Sequence, residues 1–202
     1  LAREAAGDDV YVGGDMGPTG EMMAPLGSLT YELAVEAFAE QAEALAAGGA
    51  DCICVETMSA LDEGRAAVEG ARRATDLPIF CTFSFDTRGR TSMGVTPAQA
   101  AEAVASLGAA AVGANCGHAP EEVLEILPQI RQAAPGVFLI AKPNAGIPRL
   151  VKRQVVYDAG PERMAELAQQ YVALGASVVG ACCGSSPEHI AAMRRALAGA
   201  GR

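Results

Sequence analysis

Short apolar runs rich in β-branched residues alternate along the chain with longer stretches whose apolar positions recur every three to four residues. The first pattern belongs to strands buried on both faces, the second to helices with one apolar side. Six strands are predicted: Val10–Asp15 (VYVGGD), Asp51–Glu56 (DCICVE), Ile79–Ser84 (IFCTFS), Ala110–Asn115 (AAVGAN), Val137–Lys142 (VFLIAK) and Ser177–Cys182 (SVVGAC). Helices are predicted over 30–47, 62–75, 97–107, 120–134, 161–174 and 187–199, and Thr96-Pro97-Ala98-Gln99 and Ser185-Ser186-Pro187-Glu188 read as capping boxes. Alternation of this kind predicts a parallel sheet covered by helices. No Pro/Ser-rich linker interrupts it, so one domain over 1–202 is expected.

An internal repeat marks one level of the fold. Three helix-to-strand joints read Gly49-Ala50, Gly108-Ala109 and Gly175-Ala176; seven residues beyond each Gly stand Glu56, Asn115 and Cys182, and eight beyond stand Thr57, Cys116 and Cys183. Residues able to bind ligands thus recur at the C-terminal ends of predicted parallel strands, where (β/α) barrels carry their active sites. An open doubly wound sheet places ligands at the same strand ends, so the repeat leaves both architectures open. Neither a G-x-G-x-x-G nor a Walker A loop is present, which disfavours a nucleotide site.

Charge narrows the partners. With 15 Lys+Arg against 24 Asp+Glu the net charge is −9, and there is no basic block, so neither nucleic acid nor an anionic membrane is an expected partner. No apolar run approaches the roughly 20 residues of a membrane span, and LAREAAGDDV lacks the form of a signal peptide. The chain opens on Leu1, not Met, and is expected to be a piece of something longer.

Six cysteines in a chain of this length and without a leader indicate a reducing, cytoplasmic setting rather than a disulfide scaffold. Cys52, Cys54 and Cys81 fall inside apolar runs and read as small buried hydrophobes. Cys116, Cys182 and Cys183 differ, because each ends an apolar run beside glycine. Three thiolates meeting at one rim suit Zn²⁺ and leave one tetrahedral position open, the mark of a catalytic site. Two core cysteines and one loop cysteine remain the plain alternative. His118 is either a fourth ligand or a loop residue at a helix start, and His189 reads as a surface residue. Glu56 reads equally as a site carboxylate or a helix-start carboxylate, and Asn144 as a substrate contact or a turn residue. Lys142 ends a strand, but no carboxylate partner stands in its motif to support Schiff-base chemistry.

GANC (Gly113–Cys116) and GACCGSSPEH (Gly180–His189) resemble the two zinc motifs of the homocysteine S-methyltransferase family. GDMGPTGEMMAPLG (Gly14–Gly27), VETM (Val55–Met58), FDTRGRTSMGVTP (Phe85–Pro97) and KPNAG (Lys142–Gly146) extend the resemblance over essentially the whole chain. Order and spacing are most similar to the homocysteine-binding module of cobalamin-dependent methionine synthases. The resemblance implies a (βα)8 TIM-type barrel, with six βα units visible here and the family's first two, including an Asp-Gly-rich loop, absent. A further segment or a second subunit would complete it.

It also implies Zn²⁺ held by Cys116, Cys182 and Cys183, with the sulfur of homocysteine in the fourth position. Glu56 would meet the substrate ammonium, Asn115 would lie beside the metal, and Asn144 would touch substrate. Methyl transfer to the zinc-bound thiolate would give methionine. The methyl donor is expected from outside the chain: methylcobalamin on another domain or protein, or a small donor such as S-methylmethionine or betaine. Rival readings are a non-catalytic zinc- or thiol-binding remnant and a phosphate-binding aldolase-like barrel.

Overall fold

In the computed structural model, which describes residues 1–199, a short helix α1 (Ala2–Ala6) leads into β1 (Gly13–Met16), α2 (Tyr31–Ala47), β2 (Cys52–Met58), α3 (Leu61–Ala74), β3 (Ile79–Phe83), α4 (Pro97–Ser106), β4 (Ala111–Cys116), α5 (Val123–Ala133) and β5 (Phe138–Pro143). A hairpin, β6 (Arg149–Val151) and β7 (Gln154–Val156), precedes α6 (Pro161–Ala173), β8 (Ala176–Val179) and α7 (Pro187–Ala198). The final three residues of the expected domain, 200–202, lie outside the described residues.

Six strands form one parallel sheet in the order β1-β2-β3-β4-β5-β8. The order never reverses, and a doubly wound sheet needs a reversal at its switch point. The chain therefore winds as a barrel wall. That wall is open between β1 and β8, so the barrel is incomplete.

Side-chain alternation assigns the two faces. Ile53, Val55, Cys81, Phe83, Val112, Ala114, Leu139 and Ala141 point outward and are fully buried under helix residues such as Phe38, Ala67, Val104, Leu127 and Tyr171. These apolar contacts, each large side chain contributing about 1.5–3 kcal/mol of burial, hold helices to sheet. The inner face carries the polar residues described below. The glycines of the repeat take φ of 88°, 91° and 92° at 49, 108 and 175, the left-handed conformation that ends a helix without steric penalty. That shared geometry is why each following strand starts at a comparable level.

Several expectations need correction. The last strand stops at Val179, so Cys182 lies beyond it, although Gly180 N and Cys182 N still donate to Ala141 O (2.9 Å) and Pro143 O (2.8 Å) along β5. The first strand is Gly13–Met16 rather than 10–15, and α1 and the hairpin have no counterpart in the predicted elements. The 120–134 helix opens as a single 3₁₀ turn, Pro120–Glu122. Thr96 forms the expected capping box with Gln99. At α7 the N-cap is Ser186, and with Pro187 at N1 the third helical residue is His189, not Glu188. His189 is consequently half-buried: its Nδ1 accepts from Ser186 N (3.1 Å) and its Nε2 donates to Ala159 O (3.0 Å). Cys81 is buried as expected, but Cys52 and Cys54 face the interior half-buried, their sulfurs 3.9 Å apart.

Candidate metal centre

Cys116 closes β4, and Cys182 and Cys183 sit in the loop after β8, a route along β5 away. The sulfurs of Cys116 and Cys182 are 3.1 Å apart and those of Cys182 and Cys183 3.9 Å, and all three lie within 4.8 Å of one another. Three sulfurs at 2.3 Å from one zinc stand about 3.8 Å apart; the Cys182–Cys183 separation agrees with this, and the Cys116–Cys182 pair would open slightly to seat a tetrahedral ion with one vertex free. It is the one group of three metal-ligating side chains among the described residues. His118 is exposed and outside it, its backbone N–H donating to Glu122 Oε2 (3.2 Å).

Backbone geometry turns the sulfurs toward one another. Cys116 has φ of 58°, uncommon for a residue with a side chain, and it directs its sulfur to the same side as the preceding Asn115. Thr57, at the equivalent point of the repeat, has φ of 63° and lies in a bulge where β2 loses register between Val55 and Met58. Bulges of this sort re-aim side chains beside active sites. A β-branched residue at positive φ is strained, and the bonds to Asn115 hold it there.

Asn115 is 2% exposed. Its Oδ1 accepts from Thr57 N (3.0 Å) and Thr82 Oγ1 (2.8 Å), while its Nδ2 donates to Thr57 Oγ1 (2.7 Å) and faces Cys116 Sγ at 3.6 Å and Cys182 Sγ at 3.9 Å. One amide thus ties β2, β3 and β4 together and turns its N–H toward the thiols. Asn144 stitches the two ligand loops: Nδ2 donates to Gly117 O (2.8 Å) and Oδ1 accepts from Cys183 N (2.9 Å).

Protons are shared unequally in the cluster. Hydrogen bonding from Cys116, the amide and thiol of Cys183, and Asn115 outweighs burial and draws the Cys182 thiol down to about 5. The bond to Cys182, then burial, pushes Cys116 up; burial and the Cys182 charge push Cys183 up. The lowered thiol belongs to the residue in contact with both others, so Cys182 is the one of the three most readily ionised.

Below the sulfurs, Glu56 forms an ion pair with Lys142 across the concave face. Lys142 therefore does have a carboxylate partner, from a strand 86 residues away and not from its own motif. Burial lowers the lysine pKa, but the Glu56 bond and charge outweigh it and leave Lys142 raised. Asp15, near the end of β1, is raised by partial burial and then by Glu56, with Lys142 opposing. Sequence reasoning missed Asp15 and Thr82, and it placed Thr57 at a strand end through the repeat without giving it a role. The strand-end rule that selected Glu56 would have found Asp15, whereas nothing in the sequence signals the bulge at Thr57.

Comparison with known proteins places these features. The model of the family described as homocysteine S-methyltransferase matches residues 1–197. Over 194 residues, 93% of the chain, the sequence is 36% identical to methionine synthase of Mycobacterium leprae, and equally so to methionine synthase of Mycobacterium tuberculosis. The chain spans 16% of the length of each. Among solved structures, the apo form of the homocysteine methyltransferase MmuM from Escherichia coli superposes with a TM-score of 0.73 at 25% identity, over 97% of this chain and 66% of that one.

Proposed function

The chain belongs to the homocysteine S-methyltransferase family, and from that premise we propose that it is a zinc-dependent module that prepares homocysteine for methylation to methionine. The observation that carries this reading is the convergence of the Cys116, Cys182 and Cys183 sulfurs, a donor set whose spacing and softness fit Zn²⁺. Bound there, zinc lowers the pKa of a substrate thiol and presents it as a thiolate at neutral pH.

The chain's own residues do the rest. Cys116, Cys182 and Cys183 would hold the ion, and the Cys182 thiol, lowered by the hydrogen bonds of its neighbours, would be the easiest of the three to ionise. Asn115 fixes the Cys116 and Cys182 sulfurs by its amide N–H, and Asn144 keeps the two ligand loops in register. Glu56 meets the ammonium of the amino acid by a charge-assisted bond. The methyl group comes from a donor outside these residues, methylcobalamin on another domain or protein or a small methylated compound. A reducing cytoplasm suits six free thiols; among the described residues no helix is long and apolar enough to cross a membrane.

X-ray absorption of the zinc-loaded protein tests the reading. Three sulfurs and one lighter atom are expected without substrate and four sulfurs with homocysteine, accompanied by proton release. An unchanged spectrum at saturating homocysteine overturns it. Methionine formation with a panel of donors then identifies the donor class.

A further inference from the structure

Cys52 and Cys54 take no part in the function proposed above, yet they are not placed as inert core. Two residues apart on β2, they present both sulfurs to the same inner face, half-buried and 3.9 Å apart. Cys81 on the adjoining strand is the contrast, since it points outward, single and fully buried under the helices. In register with Cys52, β1 carries Gly13, where a Cβ would stand 2.8 Å from Cys54 Sγ and 3.7 Å from Cys52 Sγ. A side chain at 13 would displace the Cys54 sulfur; glycine leaves the pair its space.

The two sulfurs border a cavity of about 290 Å³ whose lining includes the apolar Phe80, Ile140 and Val178 and none of the cysteines of the three-sulfur cluster. Its one carboxylate, Glu56, is already paired with Lys142. A disulfide fits poorly here. Residues two apart on a strand have Cα atoms about 6.6 Å apart, near the upper limit of about 6.8 Å for a disulfide. An ion held between the sulfurs needs no closer approach: each about 2.3 Å from it, sulfurs 3.9 Å apart subtend about 116° there, an open, near-trigonal angle. Zinc asks for four donors and would find half of them. Cu(I) is selected by soft thiolates and accepts two or three.

We propose that Cys52 and Cys54 form a second thiol site, on the inner face of the barrel wall and apart from the three-cysteine cluster, that takes one soft monovalent ion, Cu(I). Both thiols give up their protons as two copper–sulfur bonds form, and neither copper nor sulfur changes oxidation state. The gap at Gly13 admits the ion beside Cys54, and the apolar neighbours disfavour hard, strongly hydrated ions. Cys81, alone on the other face of the sheet, has no second sulfur to share an ion with and stays outside the site.

Anaerobic titration of the protein with Cu(I), in competition with a coloured Cu(I) chelator, tests this. The parent is expected to bind one Cu(I) per chain more than Cys52→Ser or Cys54→Ser, and Cys81→Ser to match the parent. Because the readout is a difference between variants, it is the same whether or not zinc fills the other cluster, so failure of zinc loading bears on the function proposed above and not on this site. Zinc content measured before the titration is expected to be equal in parent and serine variants. Equal Cu(I) uptake by the parent and both serine variants overturns the inference. Loss of zinc together with Cu(I) in those variants overturns it too, because the pair would then merely support the cluster. Should the serine variants not fold, Gly13→Ala keeps both thiols but crowds Cys54. It is expected to weaken the additional Cu(I) by about tenfold or more, and undiminished affinity there overturns the assignment.

Discussion

Asn115 and Thr57, 58 residues apart, clasp each other with two hydrogen bonds, the Thr57 amide donating to Asn115 Oδ1 and Asn115 Nδ2 donating to Thr57 Oγ1. The clasp bridges strands that are not neighbours in the sheet and holds a positive-φ threonine against a nearly inaccessible amide. The thiol cluster rests on that joint.

Asn115→Ala removes the acceptor used by Thr57 N and Thr82 Oγ1. A buried polar group left unpaired costs about 1–3 kcal/mol, so a total loss of about 3 kcal/mol is expected in urea unfolding of the metal-free protein. Zinc affinity should fall with it. A variant as stable as the parent would show that the amide supports nothing.

Cys182→Ala should abolish tight zinc binding, since a two-thiolate remnant cannot hold the ion in competition with a chelator. Metal content after dialysis measures it. Full occupancy in this variant would remove Cys182 from the ligand set.

The Cys182 thiol also sets a pH dependence in the metal-free protein. Its folded pKa of about 5 lies below the ordinary 9.0. Between those values the unfolded chain binds the extra proton, so stability rises with pH across that window and is lost as pH falls through about 5. Cys116 and Cys183, shifted the other way, oppose this only above the ordinary thiol range. Urea midpoints from pH 5 to 9 should climb, and Cys182→Ser should flatten the climb.

Gly113→Ala probes the wall that carries Asn115 and Cys116. A Cβ at Gly113 would stand 2.0 Å from Ile140 O on the paired strand β5. The strands must part to admit it, at an expected cost of about 3 kcal/mol. Thermal unfolding is the direct measurement, and an unchanged midpoint would mean that β4 and β5 approach less closely than described.

Most of the barrel wall could be read from the chain because its physics is periodic. β-branched runs, helical spacing and the left-handed glycines at 49, 108 and 175 place β2 to β5 within two residues of their observed ends. The three cysteines that converge were legible because they end such runs beside glycine, and the family resemblance singled them out as a candidate metal site. The rest depends on tertiary geometry that carries no local pattern. The Glu56–Lys142 pair joins residues 86 apart, and the bulge at Thr57 requires a conformation that threonine disfavours. The hairpin at 149–156 is exposed on both strands, so it lacks the apolar alternation that reveals a buried strand.

The three sulfurs proposed to hold zinc come from two places 66 residues apart in the chain, and an ion bound by them would be a removable cross-link. A clip across a loop of that length withdraws roughly 4 kcal/mol of conformational freedom from the unfolded chain if it acts as a disulfide does. It also acts unevenly. β8 pairs with the sheet on one side only, through β5, so the α6–β8–α7 segment rests on that seam, on the α6 contacts that Tyr171 and Arg163 make with Pro120 and Glu121, and on the clip. Chelation should therefore release this segment ahead of the rest, and amide exchange would register it as local opening at the C-terminal edge while β2, β3 and β4 stay protected.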